Sequence, residues 1–185
     1  MFKKIIVVFL FFFTMNAFSA GIDLKKSWLR WKGDKVTGSH FGPLQFKKGH
    51  LDVKEGLIKG GEFVVDMNSI DCEDMEGKWK KKLLAHLKSD DFFSVKKFAT
   101  SRLKLLSSQK LEKGGLKVKA LLTIKGVERP VSFIAKRLGN KYVGDLTFDR
   151  TTYDIKYKSG SFFKELGDKM IYDNVKLSFS IQFKK

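Results

Sequence analysis

Few side chains in this sequence have the chemistry of a reactive centre, and their spacing limits what they could do. The three histidines, His40, His50 and His86, lie far apart. None has a cysteine or carboxylate at the short spacing of a zinc site, so no metal ligand set is expected. Ser39-His40 is a dipeptide on one strand, where neighbours face opposite ways, so the pair cannot serve as nucleophile and base. There is no G-x-S-x-G, no H-E-x-x-H and no phosphate loop. His40 reads instead as a polar group at an opening. Asp149-Arg150 reads as an ion pair or turn former behind a strand, where the guanidinium could also steer a polar head group. Cys72 is the only cysteine, so no disulfide forms within the chain. It reads as a small buried hydrophobe, the alternative being a free thiol. No catalytic residue and no cofactor requirement emerge.

The elements that must position these groups are strands. In Gly115 to Phe133, GLKVKALLTIKGVERPVSF, the residues Leu116, Val118, Ala120, Leu122 and Ile124 share one face. Lys117, Lys119, Thr123 and Lys125 share the other, with Leu121 the one apolar intruder. Two-residue alternation of this kind predicts a strand with one dry face and one wet face. Lys125-Gly126-Val127-Glu128 is a tight connection, after which Val131, Phe133 and Ala135 resume the apolar face. Pro130, lacking an N–H, is expected at a strand start.

Elsewhere the chain reads as strands around one helix. A first strand spans Ser27 to Gly33, a second Val36 to Phe46, and Lys48-Gly49 turns into a short third, His50 to Val53. Leu57 to Ile70 follows, broken by Gly60-Gly61. Trp79, Leu83 and Leu87, widened by Leu84 and opposed by Lys80 to Lys82, predict a short amphipathic helix from about Asp74 to Lys88. Phe92 and Phe93 then sit side by side in a loop, a placement that suits capping of an apolar opening. Strands resume at Lys97 to Ser108, in the hairpin, at Lys141 to Phe148, and in the alternating run Val175, Leu177, Phe179, Ile181, Phe183. Asp149 to Met170 is irregular. About eight or nine strands and no βαβ rhythm predict an antiparallel all-β domain, an up-and-down barrel or a sandwich.

The first residues have the pattern of a secretory leader. Lys3-Lys4 precede the apolar run Ile5 to Phe13, and Ala17 to Ala20 offer cleavage after Ser19 or Ala20. The run is short for a bilayer span, and no cysteine stands at the cleavage point for lipoprotein anchoring. The expected organisation is a leader, 1–20, and one barrel domain, 21–185, large enough to bury roughly two-thirds of its unfolded surface. Losing Lys3 and Lys4 takes the formal charge from +17 to +15. Export and the strand-alternating placement of the lysines argue against a nucleic-acid partner. They suit a solvated face that discourages edge pairing, or transient attraction to an anionic membrane surface. A homodimer is left open.

Several stretches together resemble the YceI-like family. They are Trp31-x-Gly33-x-Lys35, Thr37-Gly38-Ser39-His40-Phe41-Gly42, Gly60-Gly61-x-Phe63-x-x-Asp66-Met67-x-Ser69-Ile70 and His86 to Phe93. Leu122-Thr123-Ile124-Lys125-Gly126-x-x-x-Pro130-Val131, Asp149-Arg150-Thr151 and Asp173-x-Val175-x-Leu177 continue the series in order. Phe98-Ala99 and Ala120 depart from the family's usual Pro and Gly. The resemblance implies a lipocalin-like barrel of about eight strands with the helix after the fourth. It also implies a periplasmic carrier that is not an enzyme and that binds a polyisoprenoid quinone or fatty acyl lipid. On that reading Val118, Ala120, Leu122, Ile124, Phe133, Phe179 and Ile181 are expected to form the channel wall. Phe92 and Phe93 are expected as its lid, with His40 and Arg150 near the mouth. Two alternatives stand beside it. One is an enzyme acting on a lipid in the same barrel; the other is an outer-membrane barrel, whose apolar face would have to point outward.

Overall fold

A computed structural model describes residues 18–184. Nine strands form one antiparallel sheet: β1 Phe18–Gly21, β2 Trp28–Lys35, β3 Gly38–Lys54, β4 Leu57–Asp66, β5 Thr100–Lys110, β6 Leu116–Ile124, β7 Val127–Leu138, β8 Lys141–Asp149 and β9 Ile171–Gln182. The strand order is β1-β3-β2-β9-β8-β7-β6-β5-β4, and pairing of β3 with β4 closes β2 to β9 into an eight-stranded barrel. β1 continues the line of β2 along the far half of β3, pairing with His50 to Val53. Ser19 and Ala20, where leader cleavage is expected, thus lie in β1; the expected leader's apolar run, Ile5 to Phe13, lies outside the described residues.

The hairpin β6–β7 shows why the sheet turns its oily side inward. Leu116, Val118, Ala120, Leu122 and Ile124 are all buried, while Lys117 and Lys119 are exposed. This orientation, apolar inside and charged outside, is the reverse of what a lipid-embedded barrel requires. Lys125 and Gly126 have φ of 51° and 76°, the two left-handed positions of a type I′ turn that matches strand twist.

Several boundaries differ from the sequence expectation by a few residues, β9 starting at Ile171 and β5 at Thr100, and four differences have a local reason. The expected break at Lys48-Gly49 does not occur: β3 runs on through a register shift between Phe46 and Lys48, a bulge that bends the strand without ending it. β4 stops at Asp66, not Ile70, because the Asp66 carboxylate accepts the Asn68 N–H and starts a 3₁₀ turn, Met67–Ser69. The helix α1, Gly77–Lys88, starts later than Asp74, because the residues before it are tied to β3. Asp71 N–H donates to the Pro43 carbonyl and Glu73 N–H to that of Phe41. Gly42 makes this approach possible, since a methyl there would run into the Asp71 carbonyl and the Cys72 Cα. Pro130 lies inside β7 and not at its start. β8 pairs only with Ile134 to Leu138, so Pro130 sits where β7 has no β8 partner and its missing N–H breaks no bond on that side.

Strands β7 and β8 therefore part at one end of the barrel. A 3₁₀ turn, Arg150–Tyr153, lies against both β7 and β9 there, and its Tyr153 and the following Ile155 are buried. The helix, the loop carrying Phe92-Phe93 and residues 150–170 all gather at this end, which becomes the lid end.

Candidate functional site

The inward faces do not fill the barrel. A cavity of about 190 Å³ runs inside it, lined from Lys35 and Ile171 at the lid end to Leu51, Ile58 and Tyr142 at the other. Its wall is almost wholly apolar. An engineered 150 Å³ cavity of similar lining stays dry and binds benzene, so this one admits an apolar group of at least that bulk.

Of the residues expected as wall, Leu122, Ile124, Phe133, Phe179 and Ile181 line the cavity. Val118 and Ala120 do not, although they are 0% and 1% exposed. Both side chains are short, and the cross-strand partner of Val118 is Phe133, whose ring is part of the lining. Phe133 in turn meets Phe179 edge to face at 5.6 Å. Residues beyond the expectation contribute as much: Trp31, Phe63, Leu87, Tyr142 and Phe148 all line the cavity. The alternation of Leu29 with Trp31, and of Tyr142 with Leu146 and Phe148, is the sequence signal that could have found most of them.

The lid is an aromatic stack on the helix. Leu83 and Leu87 of α1 reach the cavity, whereas Trp79, expected on the same stripe, is 63% exposed with the Lys82 ammonium over its ring. Phe92 is buried and Phe93 half-buried, their rings 5.2 Å apart, and both line the cavity. Phe92 also packs edge-on against His86, which sits 4.3 Å from the Tyr157 ring. Among the described residues the His86 Nε2 has no hydrogen-bond partner, and neither has the Tyr142 hydroxyl towards the other end. Both belong to residues that line a mostly apolar wall. Burial lowers the His86 pKa; Asp91 works against that shift and Lys158 adds to it.

Arg150 borders the cavity but not as an exposed rim group: it is 0% exposed. Its guanidinium donates to the carbonyls of Ile155 at 2.7 Å, Ile171 at 3.0 Å and Tyr172 at 3.2 Å, and to the Asp173 carboxylate at 3.2 Å. Phe92 lies against its outer face. Desolvation pulls its pKa down, and Asp173 and Asp149 oppose the pull. Its place is that of a clamp, joining the 150–155 turn to the start of β9. His40 stands on β3 at the lid end, lining the cavity, with its Nδ1 2.7 Å from the Asp74 carboxylate.

The model of the YceI-like domain matches residues 21–183. Among solved structures, Burkholderia cenocepacia BcnA is similar with a TM-score of 0.69 at 17% identity, covering 86% of this chain and 98% of that one. A polyisoprenoid binding domain from Saccharophagus degradans, implicated in plant cell wall breakdown, is similar with a TM-score of 0.57 at 14% identity, covering 89% and 97%. The Campylobacter jejuni YCEI protein is similar with a TM-score of 0.53 at 14% identity, covering 100% and 94%. No curated protein matches.

Two predictions follow from the lid. Replacing Arg150 by Met leaves three carbonyls and Asp173 without their donor, so urea denaturation should show a loss of about 3–5 kcal/mol; a change within about 0.5 kcal/mol would mean the clamp carries no weight. For His86 the lowered pKa means the folded state favours the neutral ring. Its stabilising contribution is therefore present above the unfolded value, about 6.5, and is lost as pH falls through the lower folded value. The melting temperature should fall on acidification more steeply for the native chain than for His86→Phe; equal slopes would contradict the assignment.

Proposed function

From its place in the YceI-like domain family, to which the chain belongs, we propose that it is a lipid carrier: an exported, periplasmic barrel that shelters one long apolar chain of polyisoprenoid or fatty acyl type. The observation that carries this reading is the apolar cavity running between the lid and the far end of the barrel. The name of the Saccharophagus degradans domain, polyisoprenoid binding, supports the class of ligand.

The energetics suit a carrier. Each methylene taken out of water gains about 0.8 kcal/mol, so about ten of them gain about 8 kcal/mol, the scale of a micromolar Kd before ordering costs. The tail supplies affinity, and the buried polar atoms of His86 and Tyr142, unpartnered among the described residues, are available to orient a head group. No bond-making residue is needed. The lid end also carries Trp79, Phe162 and Phe163, each about half or more exposed, among lysines. Aromatic and cationic side chains together suit the surface of an anionic bilayer, where such a lipid would be collected.

Organic extracts of protein purified without detergent should yield a long-chain lipid by mass spectrometry. Leu146→Trp, which places a ring across the cavity, should weaken uptake of a fluorescent long-chain probe by about tenfold, equivalent to about 1.4 kcal/mol of tail burial. Extracts free of lipid, together with no probe uptake by the native chain, would overturn the carrier reading.

A further inference from the structure

At the lid end, where His40 borders the cavity, the fold assembles a group of side chains whose separation in sequence conceals it. His40 comes from β3, and Cys72 and Asp74 come from the connection that precedes α1. Their donor atoms, an imidazole nitrogen, a thiol sulfur and a carboxylate oxygen, all lie within 4.8 Å of one another. His40 Nδ1 is 2.7 Å from one Asp74 oxygen, and the Cys72 thiol donates to the other at 3.2 Å. We propose that His40, Cys72 and Asp74 bind a zinc-class transition-metal dication, with a fourth coordination position open to solvent.

Three observations carry the assignment. The first is the donor set: sulfur, nitrogen and oxygen in one place suit a borderline-soft dication, whereas calcium and magnesium would want oxygens alone. The second is charge. In this strongly cationic chain Asp71 is paired with Lys80 and Glu73 with Arg30, yet among the described residues Asp74 pairs with no lysine or arginine. Its partners are the imidazole, the thiol and the Phe41 N–H, which donates at 2.9 Å and fixes the carboxylate. The third is construction. Gly42 lets the backbone at Asp71 and Cys72 close on β3, which puts Cys72, 0% exposed, behind the other two groups. The side chains of His40 and Asp74 are 24% and 19% exposed, and they leave an approach from solvent.

The chemistry balances. On binding, the Cys72 thiol gives up its proton to the buffer and becomes a thiolate, Asp74 is already a carboxylate, and the His40 imidazole supplies a nitrogen lone pair. Two anionic ligands then neutralise the dication. Coordination needs the sulfur and nitrogen to draw together, which rotation of His40 about its side-chain bonds supplies. The bound ion would rivet the connection leading into α1 to the barrel wall and so tighten the lid. This inference does not rest on the lipid reading, and its test uses no lipid.

Untagged full-length protein titrated with Co(II) should develop a thiolate-to-cobalt charge-transfer absorption that saturates at one metal per chain and disappears when Zn(II) is added. Zn(II) should also raise the melting temperature. Cys72→Ser should abolish the absorption. His40→Gln and Asp74→Asn should weaken Zn(II) binding by at least ~100-fold, the upper end of what even an outer-shell change costs. His40 is partly exposed, so His40→Gln decides the matter should Cys72→Ser fail to fold. Absence of the charge-transfer band in the native chain would overturn the site, as would unchanged Zn(II) affinity in the folded His40→Gln protein.

Discussion

Closing eight antiparallel strands into a barrel fixes an interior, and the side chains sent into it decide whether that interior is full. Here the barrel strands β2 to β9 send apolar residues inward, yet a space is left between them. Phe133 and Phe179 pack edge to face along the wall, and a cavity remains beside them. A void of this kind forfeits dispersion contacts that a tighter core would make. The chain therefore gives up stability at the place where a guest would restore it. The outward faces, rich in lysine, have no share in that trade and keep the sheet from pairing with other edges.

The lid end is organised by a second constraint, the burial of a guanidinium. Arg150 has no exposed surface, and the structure meets the cost of desolvating it with three backbone carbonyls and one carboxylate. Those acceptors come from the turn after β8 and from the first residues of β9. One side chain thus holds in place the segment that covers the gap where β7 and β8 part. Phe92 lies on the same guanidinium and Phe93 beside it, so the cap over the cavity and the seal of the barrel wall share one anchor.

Much of this was legible in the residues. The β6–β7 hairpin, the last strand and the helix that follows β4 are legible from periodicity, because burial on one face leaves a period of two or of 3.6 in the sequence. What stayed hidden depends on contacts between distant segments. Lys-Lys-Gly at 47–49 looks like a turn, but a bulge carries β3 through it. Trp79 falls on the helix's apolar stripe, but only Leu83 and Leu87 reach the cavity. Arg150 looks like a rim residue, since nothing nearby in sequence announces the carbonyls of Ile155, Ile171 and Tyr172. His40 and Asp74 meet only because Gly42 permits a close backbone approach. Val118 and Ala120 share the alternation of true lining residues, and periodicity has no means of distinguishing a core position from a cavity wall.

A carrier of this shape holds something other than protein in the interior of its barrel. Crystallographic electron density of the chain, purified in the absence of detergent and organic solvent, tests this most directly. The expected result is continuous tubular density between His86 and Tyr142 that no side chain accounts for. Rings and leucines meeting across that space, with nothing between them, would contradict it.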